Sequence, residues 1–385
     1  MRIVHICLSG AFTDNWNYQE NLLTKYHKKM GYDVIVITSK WGWSTNGNMV
    51  IYDKSDYVND DGVRIIRLSM KGKENFKKKF KRYCRFYALI VNLKPDIIFI
   101  HGIQFIDIKY IVKYVKNNPN IKVYIDNHAD YYNSAKNFLS KNILHKIIWK
   151  YYARITEPYT TKFYGVLPAR VDFLKDMYNI PEEKIELLVM GADDEKVKEA
   201  KNPNIRKEIR SKHRIKEDDF LIITGGKIDS NKPETLSLMQ AVKEINESNI
   251  KLIVFGSVTP ELKKRFNELL CDNVIFIGWI DPKETYNYFS AADLIVFPGL
   301  HSVFWEQAVA LGKACVFRYI EGFTHVDLGG NCKFIFEASV SEIKKVVIGI
   351  ANNREVHEYM TNIALTKGLK NFSYKKIAEM SISVK

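Results

Sequence analysis

Three short stretches of this 385-residue chain set chemically useful side chains beside glycine or proline. The first is Pro298-Gly299-Leu300-His301-Ser302-Val303-Phe304-Trp305-Glu306. It lies between an apolar run, 294–297, and a helical pattern that starts near Phe304 and ends at Gly312. With the second apolar run, 314–317, this reads as one βαβ unit. The loop then sits at the carboxyl end of a strand and the amino end of a helix. Open α/β sheets bind ligands at such places, and free N–H groups there meet anions. His301, Ser302 and Glu306 are the polar residues in position. The second stretch is Thr224-Gly225-Gly226-Lys227, followed by Lys232. Two glycines permit close backbone approach, and two lysines bracketing a loop suit a diphosphate. The Gly-Lys-Ser/Thr of a P-loop is absent, and the same residues also suit an ordinary turn. The third is Asp126-Asn127-His128-Ala129-Asp130, where two acids orient His128 or simply make a turn. Gly10, after the first apolar run, allows either backbone approach or a plain turn.

The elements that must hold these residues alternate. Strand-length apolar runs occur at 3–8, 34–38, 63–68, 96–101, 122–126 and 163–167. Helical stretches separate them, among them 18–30, ended by Gly31, and 75–93, ended before Pro95. Residues 41–62, with two tryptophans and many Asn, Asp and Gly, read as a long loop. A charged stretch, 194–216, reads as a connector. The alternation restarts with strands at 220–224, 251–255, 274–277 and 294–297. Strands alternating with helices predict an α/β chain of two parallel, doubly wound domains. Their bounds are 1–190 and 191–365, with a helical tail over 366–385, and two such domains create a cleft for ligands.

Composition narrows the setting. The longest apolar runs fall short of the ~18 residues a membrane-spanning helix requires. The first apolar run is too short for a secretory signal. Five scattered cysteines lack metal-ligand spacing, so a reduced, cytoplasmic setting is expected. Net charge is +14. Residues 1–190 hold 30 Lys+Arg against 18 Asp+Glu, so the excess lies in the first half and implies an anionic partner. The most basic stretch, 71–85, opens on Lys71, closes on Arg85 and has an aromatic stripe at helical spacing. It suits the inner face of an anionic membrane or, equally, a crossover helix with solvated lysines. No nucleic-acid motif accompanies the charge.

Read together, the motifs resemble the retaining glycosyltransferases of family 4, which have the GT-B fold. The resemblance rests on Leu93-Lys94-Pro95-Asp96-Ile97-Ile98 before His101, Asp126 to His128, Gly225-Gly226-Lys227 with Lys232, and Phe276-Ile277-Gly278-Trp279. It continues through Ala291-Ala292-Asp293 to Glu306 and Gly312, and into Phe372-Ser373-Tyr374-Lys375-Lys376-Ile377-Ala378. It implies two Rossmann-like domains facing across a cleft, with a last helix crossing back to the first domain. It implies a nucleotide-sugar donor, a UDP-sugar, on the second domain and a glycan or polyprenyl-linked acceptor on the first, as in capsule or other surface polysaccharide synthesis. By position, Glu306 would hold the donor ribose, and Lys227 and Lys232 the leaving diphosphate. Gly278 would lie near the base, Gly10 and Gly226 near the donor, and His128 by the transferred sugar. Ser302 and Val303 would offer backbone N–H groups. The chain departs from the family where a glutamate is usual eight positions before Glu306. Pro298 stands there, and His301-Ser302 occupies the loop.

Such a transfer needs stabilisation of a departing diphosphate more than a protein nucleophile. Retention at the anomeric carbon follows from the family's mechanism. There is no Asp-x-Asp cluster at a strand end, so neither a metal nor another cofactor is expected. Two other readings stay open. One is a non-catalytic GT-B partner of an active transferase, motivated by the absent glutamate. The other is a nucleotide-sugar epimerase of the same fold.

Overall fold

The computed structural model describes residues 1–44, 48–71, 80–230 and 233–383. Lys232 and much of the basic stretch 71–85 therefore lie outside the described residues. Two compact units are present. One comprises residues 1–44 and 48–190 together with the tail from Lys375, and the other runs over Gly191–Tyr374.

The first unit is built on an eight-stranded sheet. Its strands in chain order are β1 Arg2–Cys7, β2 Asp33–Ser39, β5 Asp56–Val58, β6 Arg64–Leu68, β7 Ile97–His101, β8 Lys122–Asn127, β9 Lys162–Gly165 and β10 Ile185–Leu187; β3 Trp41–Trp43 and β4 Met49–Ile51 form a separate hairpin. Spatial order is β10-β9-β8-β7-β1-β2-β6-β5, parallel except for the β5 edge. The chain leaves β1 toward β2 and returns on its other side with β7, so the loops after β1 and β7 face each other at a switch of direction. Near-continuous Ile and Val in β1, β2 and β7 bury both faces, as a covered parallel sheet requires.

The second unit has six parallel strands: β11 Phe220–Ile228, β12 Ile250–Val258, β13 Val274–Phe276, β14 Leu294–Phe297, β15 Ala314–Arg318 and β16 Cys332–Ile335. Their order is β13-β12-β11-β14-β15-β16. The switch falls between β11 and β14, which carry the Gly225-Gly226 and Pro298–Val303 segments.

Four expectations are corrected. Residues 41–62 are not one loop: they contain the β3–β4 hairpin and the β5 edge. The helix expected over 75–93 is interrupted: among the described residues Phe80 is helical, 81–85 are not, and a helix runs over Phe86–Leu93. Tyr83 is held in a bridge to Met70, with its N–H on Asp107 Oδ2 at 2.6 Å and its hydroxyl on the Leu8 carbonyl at 2.7 Å. The charged connector is two helices, Asp194–Ala200 and Pro203–Lys212. Its charges have partners: Arg206 and Arg210 meet opposite oxygens of Asp293 at 2.7 and 3.2 Å. The tail is also two helices, Arg354–Phe372 in the second unit and Tyr374–Ser381, most of which lies in the first.

The long helix Arg354–Phe372 presses on the helix Phe304–Ala310, which carries Glu306. A Cβ on Gly368 would sit 2.0 Å from the Val309 carbonyl oxygen, so only glycine fits there. Gly349, in the helix Val340–Ala351, is exposed and has open space around it. Gly368→Ala is expected to destabilise the protein by about 1–3 kcal/mol. Gly349→Ala is expected to stabilise it by up to ~1 kcal/mol. Thermal unfolding of the two variants checks the opposite signs.

Candidate functional site

In the second unit the fold brings a loop, a helix and a later turn onto one carboxylate. Glu306, on the helix Phe304–Ala310, is fully buried. His301 Nε2 lies 2.9 Å and His325 Nε2 2.8 Å from the same oxygen, Oε1. Each ring donates an N–H, because a carboxylate can only accept. Burial pushes the Glu306 carboxyl up, but His301 and His325 outweigh it and hold it at about 2. The other oxygen, Oε2, is buried and has no protein partner, as is the far nitrogen of His325, Nδ1. An unpaired buried carboxylate oxygen is costly unless a ligand supplies a donor. His325 escaped sequence reasoning because it arrives from beyond β15, nineteen residues away from Glu306. Its turn is held by buried Asn331, which accepts from Leu328 N–H at 2.6 Å and donates to the Val326 carbonyl at 3.0 Å. That three-residue-plus-carbonyl clamp had no recognisable spacing signal.

A row of glycines lies nearby at the carboxyl ends of β11, β12 and β13. Gly226 is in register with Gly256, and Gly256 N–H donates to the Gly278 carbonyl at 2.8 Å. All three have left-handed φ, +114°, +119° and +75°, where a side chain is strained. A Cβ on Gly256 would meet the Gly226 oxygen at 1.9 Å, so this glycine is required by strand packing. Gly278 has open space instead, as a surface left free for a ligand does. A Cβ on Gly226 would lie 3.8 Å from the Phe304 ring, which ties the row to the Glu306 helix.

The remaining expected residues are placed as follows. Gly225-Gly226-Lys227 is not a loop: β11 continues through it to Ile228, paired with β12. Lys227 stands at that strand end, its side chain largely exposed and 3.3 Å from Asp229 Oδ2. His301 does not face outward; its ring is turned in against Glu306 and Trp305, with the ring centroids 5.0 Å apart. Ser302 and Val303 are half-buried at the helix start, where the Ser302 carbonyl accepts from Trp305 N–H. Gly10 is exposed, and a Cβ there meets nothing, so the chain itself does not require glycine.

In the first unit, Asp126, next to last in β8, is fully buried. His101 Nδ1 donates to its Oδ2 at 2.7 Å, and His128 Nε2 stands 3.3 Å from Oδ1, out of line for a hydrogen bond. Behind His101 runs a chain of imidazoles. His101 Nε2 meets His5 Nδ1 at 2.9 Å, and His5 Nε2 meets His27 Nδ1 at 3.0 Å. His27 Nε2 reaches the Ala378 carbonyl and Ser381 Oγ on the tail helix. Ser381 donates its own proton to Ala378, so both ends of the chain accept. Three rings then make four contacts and need four protons, one more than three neutral imidazoles carry. The extra proton belongs on His101, whose pKa burial lowers but Asp126 raises further, for a net rise. Burial, then His27 and His101, push His5 well down, and burial brings His27 to about 4. The Asp126 carboxyl, raised by burial, is held well below the usual range by His101 and His128.

Both clusters, His301–Glu306–His325 and His101–Asp126–His128, are sets of two histidines and a carboxylate with the types of ligand that hold zinc. In the first, proton-mediated contacts already satisfy the three facing atoms, and the buried His325 Nδ1 lacks the acceptor that usually orients a metal-bound ring.

Two family models and many solved structures resemble this chain. Residues 21–196 match the family model described as Glycosyltransferase Family 4, and residues 205–367 match Glycosyl transferases group 1. No curated protein matches the chain. Among solved structures, sucrose-phosphate synthase from Thermosynechococcus elongatus is 15% identical with TM-score 0.70, over 98% of this chain and 96% of that one. HepE of Anabaena, solved with UDP, is 14% identical with TM-score 0.71, over 99% and 98%. UDP-GlcNAc 2-epimerase from Neisseria meningitidis, bound to UDP-GlcNAc, is 15% identical with TM-score 0.65, over 99% of each. The chain has the GT-B fold. Its two matched segments are the two halves of a GT-B glycosyltransferase.

The histidine chain predicts a pH response. His27 is neutral when folded and protonates near 6.5 when unfolded, so the unfolded state binds more protons between about pH 4 and 6.5. Stability therefore falls as pH drops through that window, by roughly 3 kcal/mol from His27 alone. His145, lowered to about 4 by burial, acts in the same sense. His101 has the opposite sign: its contribution is complete below pH 6.5 and is lost as pH rises through its raised value. Unfolding midpoints measured from pH 7 to 4.5 are expected to decline, and less steeply in His27→Gln.

Proposed function

We propose that this protein transfers a sugar from a UDP-sugar, with retention of anomeric configuration, to a glycan or lipid-linked acceptor in surface polysaccharide synthesis. The observation that carries the reading is the Glu306 site: a carboxylate kept ionised by two histidines, one buried oxygen unpartnered, beside a glycine row that starts at the sheet's switch point with Gly226 and runs out to Gly278. A ribose hydroxyl supplies the donor that Oε2 lacks, while the flat nucleotide base fits against a strand edge without side chains. UDP is favoured because HepE was solved with UDP and the Neisseria epimerase with UDP-GlcNAc. A setting in surface polysaccharide assembly is favoured by the basic first half and by the fold likeness to WaaG, described as a glycosyltransferase involved in lipopolysaccharide biosynthesis.

In this reading Lys227 and Lys232 neutralise the diphosphate as it leaves, and Ser302 and Val303 offer N–H groups at the start of the Glu306 helix. His301 acts indirectly, by fixing Glu306. His128, coupled to Asp126, serves the sugar-transfer chemistry of the first unit. No metal takes part. The epimerase reading is favoured by likeness of fold, and the product distinguishes it: an epimerase inverts a centre of the donor sugar and leaves it attached to UDP, whereas a transferase passes the sugar to the acceptor and releases UDP.

Glu306→Gln keeps the shape and removes the charge. It is expected to lower kcat/KM for the donor about 10–100-fold, chiefly through KM. Lys232→Ala is expected to lower kcat about 10²–10³-fold. Steady-state UDP release by both variants, shown folded by circular dichroism, checks the assignment; unchanged turnover in both contradicts it. Dialysis against a chelator is expected to leave turnover unchanged. A loss that zinc restores would place an ion in one of the two clusters.

A further inference from the structure

The segment after the His128 loop buries one side and leaves an apolar stripe on the other. It runs in wide helical turns over Ser140–Trp149 and continues as an α-helix, Lys150–Thr156. His145, Trp149 and Ala153, four residues apart, are buried in the core of the first unit. Between them, and also four apart, stand Leu139, Ile143, Ile147 and Tyr151, joined at the start by Phe138. These five are between 42% and 75% exposed. Isolated apolar side chains on a surface need no explanation, but a continuous stripe along one helix marks a contact.

Charge says what it contacts. Residues 131–156 contain Lys136, Lys141, Lys146, Lys150 and Arg154 and no Asp or Glu. Lys150 and Arg154 reach Asn179, and Lys141 lies over the Tyr131 ring at 5.2 Å, so these three flank the stripe in defined positions. Three acids act on this segment: Asp176 on Tyr131 from the helix Pro168–Tyr178, Asp107 on Tyr152, and Glu157, which stands 3.8 Å from Arg154 at the segment's far end. An exposed apolar stripe with aromatic ends, flanked by Lys136, Lys141, Lys146 and Lys150, with its one acid pair, Arg154–Glu157, at the far end, matches an anionic bilayer surface, where apolar groups enter the headgroup boundary and ammonium groups meet phosphate.

We propose that Phe138, Leu139, Ile143, Ile147 and Tyr151 form a membrane-docking face that seats on anionic lipid. In sequence this segment is separate from the basic stretch 71–85, of which Arg82 acts on Tyr152. Ser134 Oγ and His145 Nε2, 2.9 Å apart, fasten it to the loop that carries His128. A docked chain thus holds that loop, and the strand end with Asp126, near the headgroups. The proposal rests on exposure and charge, and binding to lipid needs neither donor nor acceptor, so it stands or falls separately from the transfer reading.

Co-sedimentation of the full chain with vesicles tests it. Binding is expected to mixed phosphatidylglycerol–phosphatidylcholine vesicles and to be weak on phosphatidylcholine alone. The pair Phe138→Ser and Ile147→Ser, and separately the pair Lys141→Glu and Lys146→Glu, are each expected to lower the partition at least about tenfold. All four positions are exposed, so unfolding midpoints should not move. Equal binding by the wild type and both double variants overturns the proposal. So does a wild type that ignores vesicles but sediments as a dimer that the serine pair dissociates, since the face would then join two copies of this chain.

Discussion

A buried negative charge organises the second unit. Glu306 is fully removed from water, and an isolated carboxylate there would take up a proton. Two imidazole N–H groups on one oxygen prevent this and hold the carboxyl at about 2. Much of the surrounding structure follows from that requirement. The loop after β14 must turn His301 inward, the turn after β15 must deliver His325, and Asn331 must clamp that turn. Trp305, stacked on Phe317 with centroids 4.3 Å apart, fixes the helix on which Glu306 rides. Gly368 lets a second helix press on it from behind.

The first unit solves a related problem differently. Asp126 is also buried and ionised, but its charge is balanced by a proton that three linked imidazoles cannot share evenly. Because both ends of the chain accept, protonation of His101 is tied to the seating of the tail helix on His27. The last residues of the chain are thereby coupled, over one continuous line of hydrogen bonds, to the strand end next to His128. His5 and His27 would be poor choices for a core that only had to be filled, since each lowered pKa costs stability in acid.

The two doubly wound sheets were legible in the sequence because parallel strands buried on both faces write themselves as short apolar runs at helix-length intervals. Pro298 to Gly312 was legible for the same reason, and so was the importance of Glu306. The partners of Glu306 and Asp126 were not. His325, His5 and His27 reach their carboxylates from other elements, and nothing in local spacing marks a contact made by strand order. Lys227 was read into a loop because two glycines usually end a strand; here β12 carries a glycine opposite them, and the pair runs on. The charged stretch after Gly191 looked like a connector because its composition hides the arginine partners supplied by Asp293, far along the chain. Lys71 to Arg85 drew attention by charge and an aromatic stripe, whereas the exposed stripe from Phe138 to Tyr151 reads in sequence like any amphipathic helix and shows its character only when the buried side is known.

The most direct test of the central claim is a crystal structure with UDP bound. The account predicts that a ribose hydroxyl lies within hydrogen-bond distance of Glu306 Oε2 while His301 and His325 keep their places on Oε1, with the base against Gly278. UDP seated elsewhere, with Oε2 still buried and unpartnered, would contradict it.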